Sequence, residues 1–410
     1  MADRTIVVMK FGGTSVADAR GREALGRRVL AAIETDAWPV VVVSAMGRAG
    51  APYSTDTLLS LVEGLPADAR ERDLLASTGE AIAAVLVAHE LRAAGVDAAA
   101  FTGAEAGILT DQTHGAATIT GVDPGPLVAA ISAGLIPVVA GFQGMAPDGS
   151  VATLGRGGSD TTACALGVAL EADAVEIYTD VDGVMSADPK TCEAAEVLDV
   201  IGADELFQMA RHGSRVVHTP AAELALGSGL RLRVRNTFSD HDGTRVADVR
   251  SYVPASVATA VSHVDGVARM SVALDAEEGT PAHAGAQAAV YRAMADAGVS
   301  LDMFTPVRET LFFTVRTGDV SRARRVLEAV GLNHEMLGGL AKVTLVGAGM
   351  HGVPGVMARL AESLAGAGVP ILQTADSHTT ISVLVPAESA ERAVRALHEA
   401  FDLAARDSAT

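Results

Sequence analysis

Short apolar, β-branched runs recur along the first 250 residues, and each is followed by a glycine-rich or hydroxyl-rich segment. The runs are Ile6–Met9, Val40–Val43, Ile136–Ala140 and Val175–Tyr178. Between them lie Ala/Leu-rich stretches at helical spacing, Gly21–Glu34, Arg72–Ala94, Pro126–Ala133 and Thr161–Glu171. A strand with no polar face must be covered on both sides. Strands alternating with helices therefore predict a mostly parallel sheet with helices on its faces. Such sheets bind ligands at the carboxyl ends of their strands, where the glycine-rich segments fall here. Only 3% of the 410 residues are aromatic, so the cores must be built from Ala, Val, Leu and Ile.

Beyond residue 250 the texture changes. Ser251–Val261 reads as a linker, and an internal repeat follows. A shift of about 70 residues superposes Ala297-Gly298-Val299 on Ala367-Gly368-Val369, Val315 on Val385 and Arg322-Ala323 on Arg392-Ala393. Arg325 then falls on Arg395, and Leu327 on Leu397. Each copy reads strand, helix, strand, strand, helix, which fits two small α/β sandwiches. The expected domains are 1–250, 262–335 and 336–408.

The formal charge is −19, so the chain has no general attraction for nucleic acid or anionic membranes; bound phosphate needs a local positive site. Cys164 and Cys192 lie in no CxxC or Cys/His pattern, which argues against a disulfide framework or zinc site. The N-terminus lacks the features of a signal peptide, and uninterrupted apolar runs are too short to span a bilayer. The expected location is cytoplasmic.

Several motifs can carry chemistry. Lys10-Phe11-Gly12-Gly13-Thr14-Ser15 directly follows the first strand. Its glycines let the backbone approach a ligand, their N–H groups can face an anion, and Lys10 supplies a charge for phosphate. The string is not a Walker A loop. Gly155-Arg156-Gly157-Gly158-Ser159-Asp160-Thr161-Thr162 leads into a helix. Arg156 can grip a carboxylate with two bonds, Ser159 and Thr161 can cap the helix, and Asp160 serves as a cap or helps organise an amino group or a metal. Tyr178-Thr179-Asp180-Val181-Asp182-Gly183-Val184-Met185, followed by Asp188-Pro189-Lys190, reads as Asx turns or as a nucleotide-side turn. Ser77-Thr78-Gly79-Glu80 is expected at the beginning of a helix, either as a cap or with Glu80 on a substrate ammonium. Ser44-Ala45-Met46-Gly47, with Thr55 and Asp56 further on, follows the second strand. His218, in Gly213-Ser214-Arg215-Val216-Val217-His218, reads as a packed or helix-end histidine rather than a general base.

Taken in order, KFGGTSV, VVVSAMG, STGE, GFQG, GRGGSDTTA, YTDVDGV, ADP and GSRVVH resemble the aspartate kinases of the amino-acid kinase superfamily. The likeness runs the length of the chain, and its C-terminal repeat is similar to paired ACT domains. The finer likeness, to the Bacillus-type diaminopimelate-sensitive group, rests on Ser44-Ala45-Met46-Gly47-Arg48, Pro52-Tyr53, Thr55-Asp56 and Ala375-Asp376-Ser377-His378-Thr379-Thr380. The resemblance implies a three-layer αβα kinase domain with a mostly parallel sheet, then two βαββαβ ACT-like domains. It implies transfer of the γ-phosphate of ATP, with Mg²⁺ held largely by the phosphates, to the side-chain carboxylate of L-aspartate. Lys10, Asp160 and Arg156 would be catalytic. Ser44, Thr55, Glu80, Phe142, Arg156, Gly157, Gly158 and Ser159 would hold aspartate. Lys10, Phe11, Gly12, Gly13, Thr179, Asp180, Met185, Lys190, Arg215 and Val216 would hold the nucleotide. No protein cage for a metal is expected.

Lys190, Arg215 and Met185 stand where many members have Arg, Lys and Tyr. The first two changes keep positive charge with a different geometry, and the third keeps apolar area. The loop Gly347–Gly355, with Gly349 and Gly352, and Gln373, Asp376 and His378 would form an effector site. Meso-diaminopimelate is favoured there, with lysine or threonine as alternatives, and a homodimer is implied. A kinase for another acidic amino acid, a non-catalytic amino-acid sensor on a decayed kinase fold, and a kinase of a secondary pathway remain open at this point.

Overall fold

The computed structural model describes residues 5–66, 68–214, 217–247, 256–350 and 352–404. Arg215 and Val216, the first part of the linker expected over 251–261, and His351 lie outside the described residues. The chain divides into two compact units. One comprises Met1–Val184, Val197–Arg211 and Arg215–Val253; the other comprises Met185–Glu196, His212–Ser214 and Pro254–Thr410.

The first unit runs β1 (Thr5–Phe11), α1 (Gly13–Val16), α2 (Ala19–Glu34), β2 (Ala37–Val43), α3 (Thr55–Ser60), α4 (Ala69–Ala93), β3 (Ala98–Phe101), β4 (Ile108–Thr110) and β5 (Ile119–Val122). It continues with α5 (Gly125–Ser132), β6 (Ile136–Ala140), β7 (Gln143–Met145), β8 (Val151–Thr153), α6 (Gly158–Ala169) and β9 (Ala174–Thr179). The last elements are β10 (Val200–Gly202), α7 (Ala203–Arg211), α8 (Thr219–Ser228), β11 (Leu232–Asn236) and β12 (Thr244–Ala247). The main sheet has the order β10-β12-β11-β9-β1-β2-β6-β3, and a smaller one the order β5-β4-β7-β8. Among the described residues of the main sheet, only the β11/β12 pair is antiparallel. The parallel arrangement follows from strands such as β2 and β6, whose apolar residues are buried on both faces. β1 lies between β2 and β9, so the chain builds the sheet outward on both sides of it. This strand-order reversal is where parallel sheets open a crevice for ligands.

Asp18 starts α2 by accepting from the Gly21 amide at 2.8 Å. Leu25 and Val29 of that helix join Met9, Val41, Val87, Leu91 and Val138 in the core. Phe11 stacks on Tyr178 there, with centroids 4.6 Å apart. Helix α4, with 25 residues, has a window long and apolar enough to cross a bilayer by length and composition alone. Half of that window is buried inside the protein, and the helix buries Asp73 and Glu80, so it is read as a core helix.

In the second unit β13 (Ala260–Ala273), α9 (Pro281–Asp296), β14 (Asp302–Val307), β15 (Thr310–Arg316), α10 (Val320–Ala329) and β16 (His334–Val346) come first. Then follow α11 (Val356–Gly366), β17 (Gln373–Asp376), β18 (Thr380–Pro386) and α12 (Ala390–Ala400). All six strands form one antiparallel sheet, β14-β15-β13-β16-β18-β17. The long strands β13 and β16 are shared by two packed halves. Met270, Val290, Phe313 and Leu327 build the core under α9 and α10; Val343, Leu360, Val383 and Leu397 build the other. The repeat seen in the sequence is thus two copies of one α/β layer arrangement joined through a common sheet. Ala187 and Cys192 pack into the second of these cores. The Ser186 hydroxyl bonds His398 Nε2 at 2.9 Å, and Arg395 donates to the Thr191 carbonyl at 3.0 Å.

Candidate active site

The carboxyl end of β1 delivers Lys10, whose Nζ lies 2.6 Å from Asp160 Oδ1 with both side chains nearly buried. The other Asp160 oxygen accepts from the His218 amide at 3.3 Å. A Cβ on Gly13 would stand 2.6 Å from the Gly47 carbonyl oxygen, so only glycine fits that turn. One expectation needs correcting. The Gly12 amide donates to the Tyr178 carbonyl at 3.2 Å, because β1 still pairs with β9 there. Gly12 therefore contributes open space beside Lys10 Nζ, and of the two glycines only Gly13 is left as a candidate amide donor.

The second glycine string forms the start of α6. Gly157 is the N-cap with φ 71°, and a Cβ on it would lie 2.0 Å from the His218 ring. Ser159 and Thr161 do not cap the helix as expected, since the cap position falls earlier, on Gly157, which has no side chain to offer. Thr161 Oγ1 instead leans back on the Gly157 carbonyl at 3.4 Å. Ser159 packs against Gly141, and Phe142 against Gly158, each too close for a Cβ on the glycine. Phe142 holds φ 70°, an uncommon conformation for a bulky residue, fixed by its amide on Thr162 Oγ1 and its carbonyl on the Leu154 amide. Arg156 is exposed on the loop before the helix.

Ser77–Glu80 is not at a helix start; it lies well inside α4. The hydroxyls of Ser77 and Thr78 bond back to the carbonyls of Leu74 and Leu75, at 2.8 and 2.6 Å, so they stay in the helix rather than cap it. Glu80 is 2% exposed. Its Oε1 accepts from the Ala45 amide at 3.1 Å, next to Ser44, while Oε2 makes no hydrogen bond among the described residues. Burial pushes its carboxyl up to about 7, with the Ala45 amide, its own amide and the Thr55 side chain pulling the other way. Thr55 opens α3 behind the N-cap Ser54.

On the β9 side, Thr179 ends the strand and Asp180 follows it, with Arg48 reaching Asp180 at 2.7 Å. Asp182 accepts from the Ser239 hydroxyl and from Asn236 Nδ2, and these bonds hold its carboxyl below the usual range. Met185 and Lys190 belong to the second unit, where Lys190 is exposed behind an Asp188 turn. His218 holds the helix-end position before α8, one of the two places the sequence suggested, with its ring close to Gly157. In the second unit Gly349 lies in the loop before α11, close to the Ser256 carbonyl, and Gly352 has φ 76°. Gln373 begins β17 and donates to the Met303 carbonyl, while Asp376 and His378 are exposed.

The structure thus brings together Lys10 with Asp160, Glu80 with the Ser44 loop and Thr55, and Phe142 with Gly158. Sequence reasoning missed Asp73, His114 and Thr153, a polar cluster around the buried Asp73 carboxylate that includes the root of the Gly155–Gly158 loop. A lone aspartate in a helix gave no signal.

The sequence matches the model of the amino acid kinase family over residues 5–236 and an ACT domain model over residues 337–399. It is 42% identical over 408 residues to aspartokinase 1 of Bacillus subtilis, spanning 97% of this chain and 99% of that protein. The aspartokinase of Mycobacterium tuberculosis is 39% identical over 422 residues, spanning 99% and 98%. Among solved structures, Escherichia coli aspartokinase III with aspartate and ADP superposes with a TM-score of 0.81 at 26% identity, covering 97% of this chain and all of that one. The same enzyme with lysine and aspartate gives 0.75 at 26% identity, covering 97% and 99%. With kinase and regulatory parts both matched end to end, the chain belongs to the aspartokinase family.

Proposed function

We propose that the chain transfers the γ-phosphate of ATP to the side-chain carboxylate of L-aspartate, giving 4-phospho-L-aspartate, under feedback control by an amino acid. The observation that carries this reading is the pairing of Lys10 with Asp160 at the carboxyl end of the central strand, in a fold that also buries Glu80 beside the adjoining loop. The aspartate nucleophile is already ionised at neutral pH and needs no general base. Catalysis then consists of positioning and charge neutralisation. Lys10 meets the transferring phosphoryl oxygens, and Asp160 holds the ammonium in place between turnovers. Glu80, once ionised, faces the substrate ammonium, and Arg156 clamps a carboxylate. Phe142 walls the acceptor side, and Thr179 and Asp180 face the nucleotide.

Among the described residues no group of three His, Cys, Asp or Glu side chains can hold a metal ion. A Mg²⁺ ion carried by the nucleotide phosphates would supply further charge neutralisation there. The decisive assay is ADP release from MgATP with L-aspartate, L-glutamate or N-acetylglutamate. Turnover with glutamate alone would redirect the reading to another acidic substrate. Arg156→Ala is expected to raise the aspartate KM by about tenfold or more while kcat changes less. An unchanged aspartate KM would remove Arg156 from the clamp role.

For regulation, we assign the effector site to the Gly347–Gly355 loop with Gln373, Asp376 and His378, and favour meso-diaminopimelate, which carries a second ammonium and a second carboxylate. Support comes from Met185–Glu196, the strip on which family resemblance places nucleotide contacts, which packs into the regulatory unit's own core. A ligand that alters that unit therefore acts directly on the strip, provided it binds one state more tightly than the other. Isothermal calorimetry is expected to give a saturable isotherm with diaminopimelate. No heat with diaminopimelate, beside clear binding of lysine or threonine, would reassign the effector. A homodimer is the expected assembly, and sedimentation equilibrium measures it.

A further inference from the structure

Asp73 is 2% exposed, on a helix face where a carboxylate has no role in the helix itself. Its two oxygens gather donors from the His114–Gly115 loop and from Thr153 at the end of β8. Oδ2 accepts from His114 Nδ1 at 3.0 Å, from the Gly115 amide at 2.9 Å and from the Thr153 amide at 2.9 Å. Oδ1 accepts from the Thr153 hydroxyl at 2.6 Å. The two oxygens of a carboxylate offer enough acceptor sites to take all of these at once.

The cluster has a direction. Thr153 is the last residue of β8, immediately before the loop that carries Arg156. Gly155 stands over Gly115; a Cβ there would lie 3.6 Å from the Gly115 carbonyl oxygen. The His114–Gly115 loop is itself braced by Asp111, which accepts from the Thr113 and Thr118 amides at 3.0 and 3.2 Å, and by the Ala117 amide on the Thr153 carbonyl at 2.8 Å. Asp73 therefore pins both the root of the Arg156 loop and the surface on which that loop rests. It also lies on α4, two turns before Glu80 and on a similar face of the helix. One rigid helix carries both the acid beside the Ser44 loop and the anchor of the arginine loop.

We infer that Asp73 is a positioning residue for the acceptor substrate: through Thr153 and Gly115 it fixes the loop of Arg156 at a set distance from Glu80, and so sets the spacing at which an amino acid's ammonium and carboxylate are gripped. The inference rests on the reading of Arg156 as the clamp. A polar clasp with a purely structural role would lower stability and disturb both substrates alike. A positioning role moves the acceptor substrate alone, and only while Arg156 is present.

The test is steady-state kinetics on the full chain, with thermal unfolding of each variant as a check on folding. Asp73→Asn keeps the shape but turns an N–H toward the donors. It is expected to raise the aspartate KM by about tenfold, with the MgATP KM within about twofold of wild type. In an Arg156→Ala background the same change is expected to add less than about twofold, because the group through which it acts is gone. Thr153→Val removes one bond and carries the test should Asp73→Asn fail to fold. It is expected to shift the aspartate KM in the same direction, and Thr153→Ser, which keeps the hydroxyl, to reverse most of that shift. An unchanged aspartate KM in folded Asp73→Asn, equal rises in both KM values, or a full effect in the Arg156→Ala background would each overturn the inference. An Arg156→Ala variant that itself keeps the wild-type aspartate KM would instead overturn the clamp reading beneath it.

Discussion

Replacing Lys10 with alanine is expected to lower kcat by about 10²-fold or more, the effect of removing a charge that meets the phosphoryl group in the transition state. The ammonium is held in place before substrate arrives by Asp160, at 2.6 Å, and sits where the first strand opens into its glycine turn. The aspartate KM should change much less, since the lost contact strengthens as charge develops rather than on binding. Stability needs a separate measurement. Truncating one member of a nearly buried ion pair strands the other, at a cost of about 3–5 kcal/mol. The double variant Lys10→Ala/Asp160→Asn removes the stranded charge. It is expected to regain much of the lost stability without regaining turnover. Near wild-type kcat in Lys10→Ala would take the phosphate role away from this lysine.

The second large effect concerns Glu80. Burial lifts its carboxyl from 4.5 to about 7, so the folded protein holds this proton more tightly than the unfolded chain does. A raised carboxyl pKa means that ionisation is disfavoured in the fold. The group's contribution to stability is greatest below about pH 4.5, falls as pH rises through the interval to about 7, and is constant beyond. The whole fall amounts to about 3 kcal/mol. Glu80→Gln, which cannot ionise, is expected to lack that decline in urea-unfolding measurements between pH 5 and 8.

Catalysis has the opposite demand. The substrate ammonium requires the ionised form, so kcat/KM for aspartate should rise with pH to a plateau above about 7. In Glu80→Gln that limb should be missing and the plateau lower by roughly 10–10²-fold, the range for losing a charge-assisted contact. An unaltered pH limb in the variant would mean that another group titrates there.

The site motifs were legible because they combine residues that a fold has little other reason to place together. Lys10 before Gly12-Gly13, and Arg156 among three glycines, announce loops made for close approach. Gly13 and Gly157 leave no room for a Cβ, which is a steric fact a sequence records directly. Ser77–Glu80 misled because Ser and Thr favour caps in general, whereas here their hydroxyls bond the preceding turn and the helix continues. The Gly12 amide could not be placed either, because whether β1 and β9 pair as far as Tyr178 depends on strands far apart in the sequence, not on local pattern.

By itself the sequence determined the alternation of buried strands and helices, the repeat, and the residue types at the phosphate and carboxylate loops. Those follow from local periodicity, glycine sterics and charge, which act over a few residues. Only the tertiary structure decided that Glu80 is buried and its carboxyl lifted, that Asp160 faces Lys10, that Asp73 anchors the arginine loop, and that Met185–Glu196 packs with the C-terminal unit. Desolvation and ion pairing depend on which distant segments come within a few ångströms, and that is fixed by the packing of the whole chain.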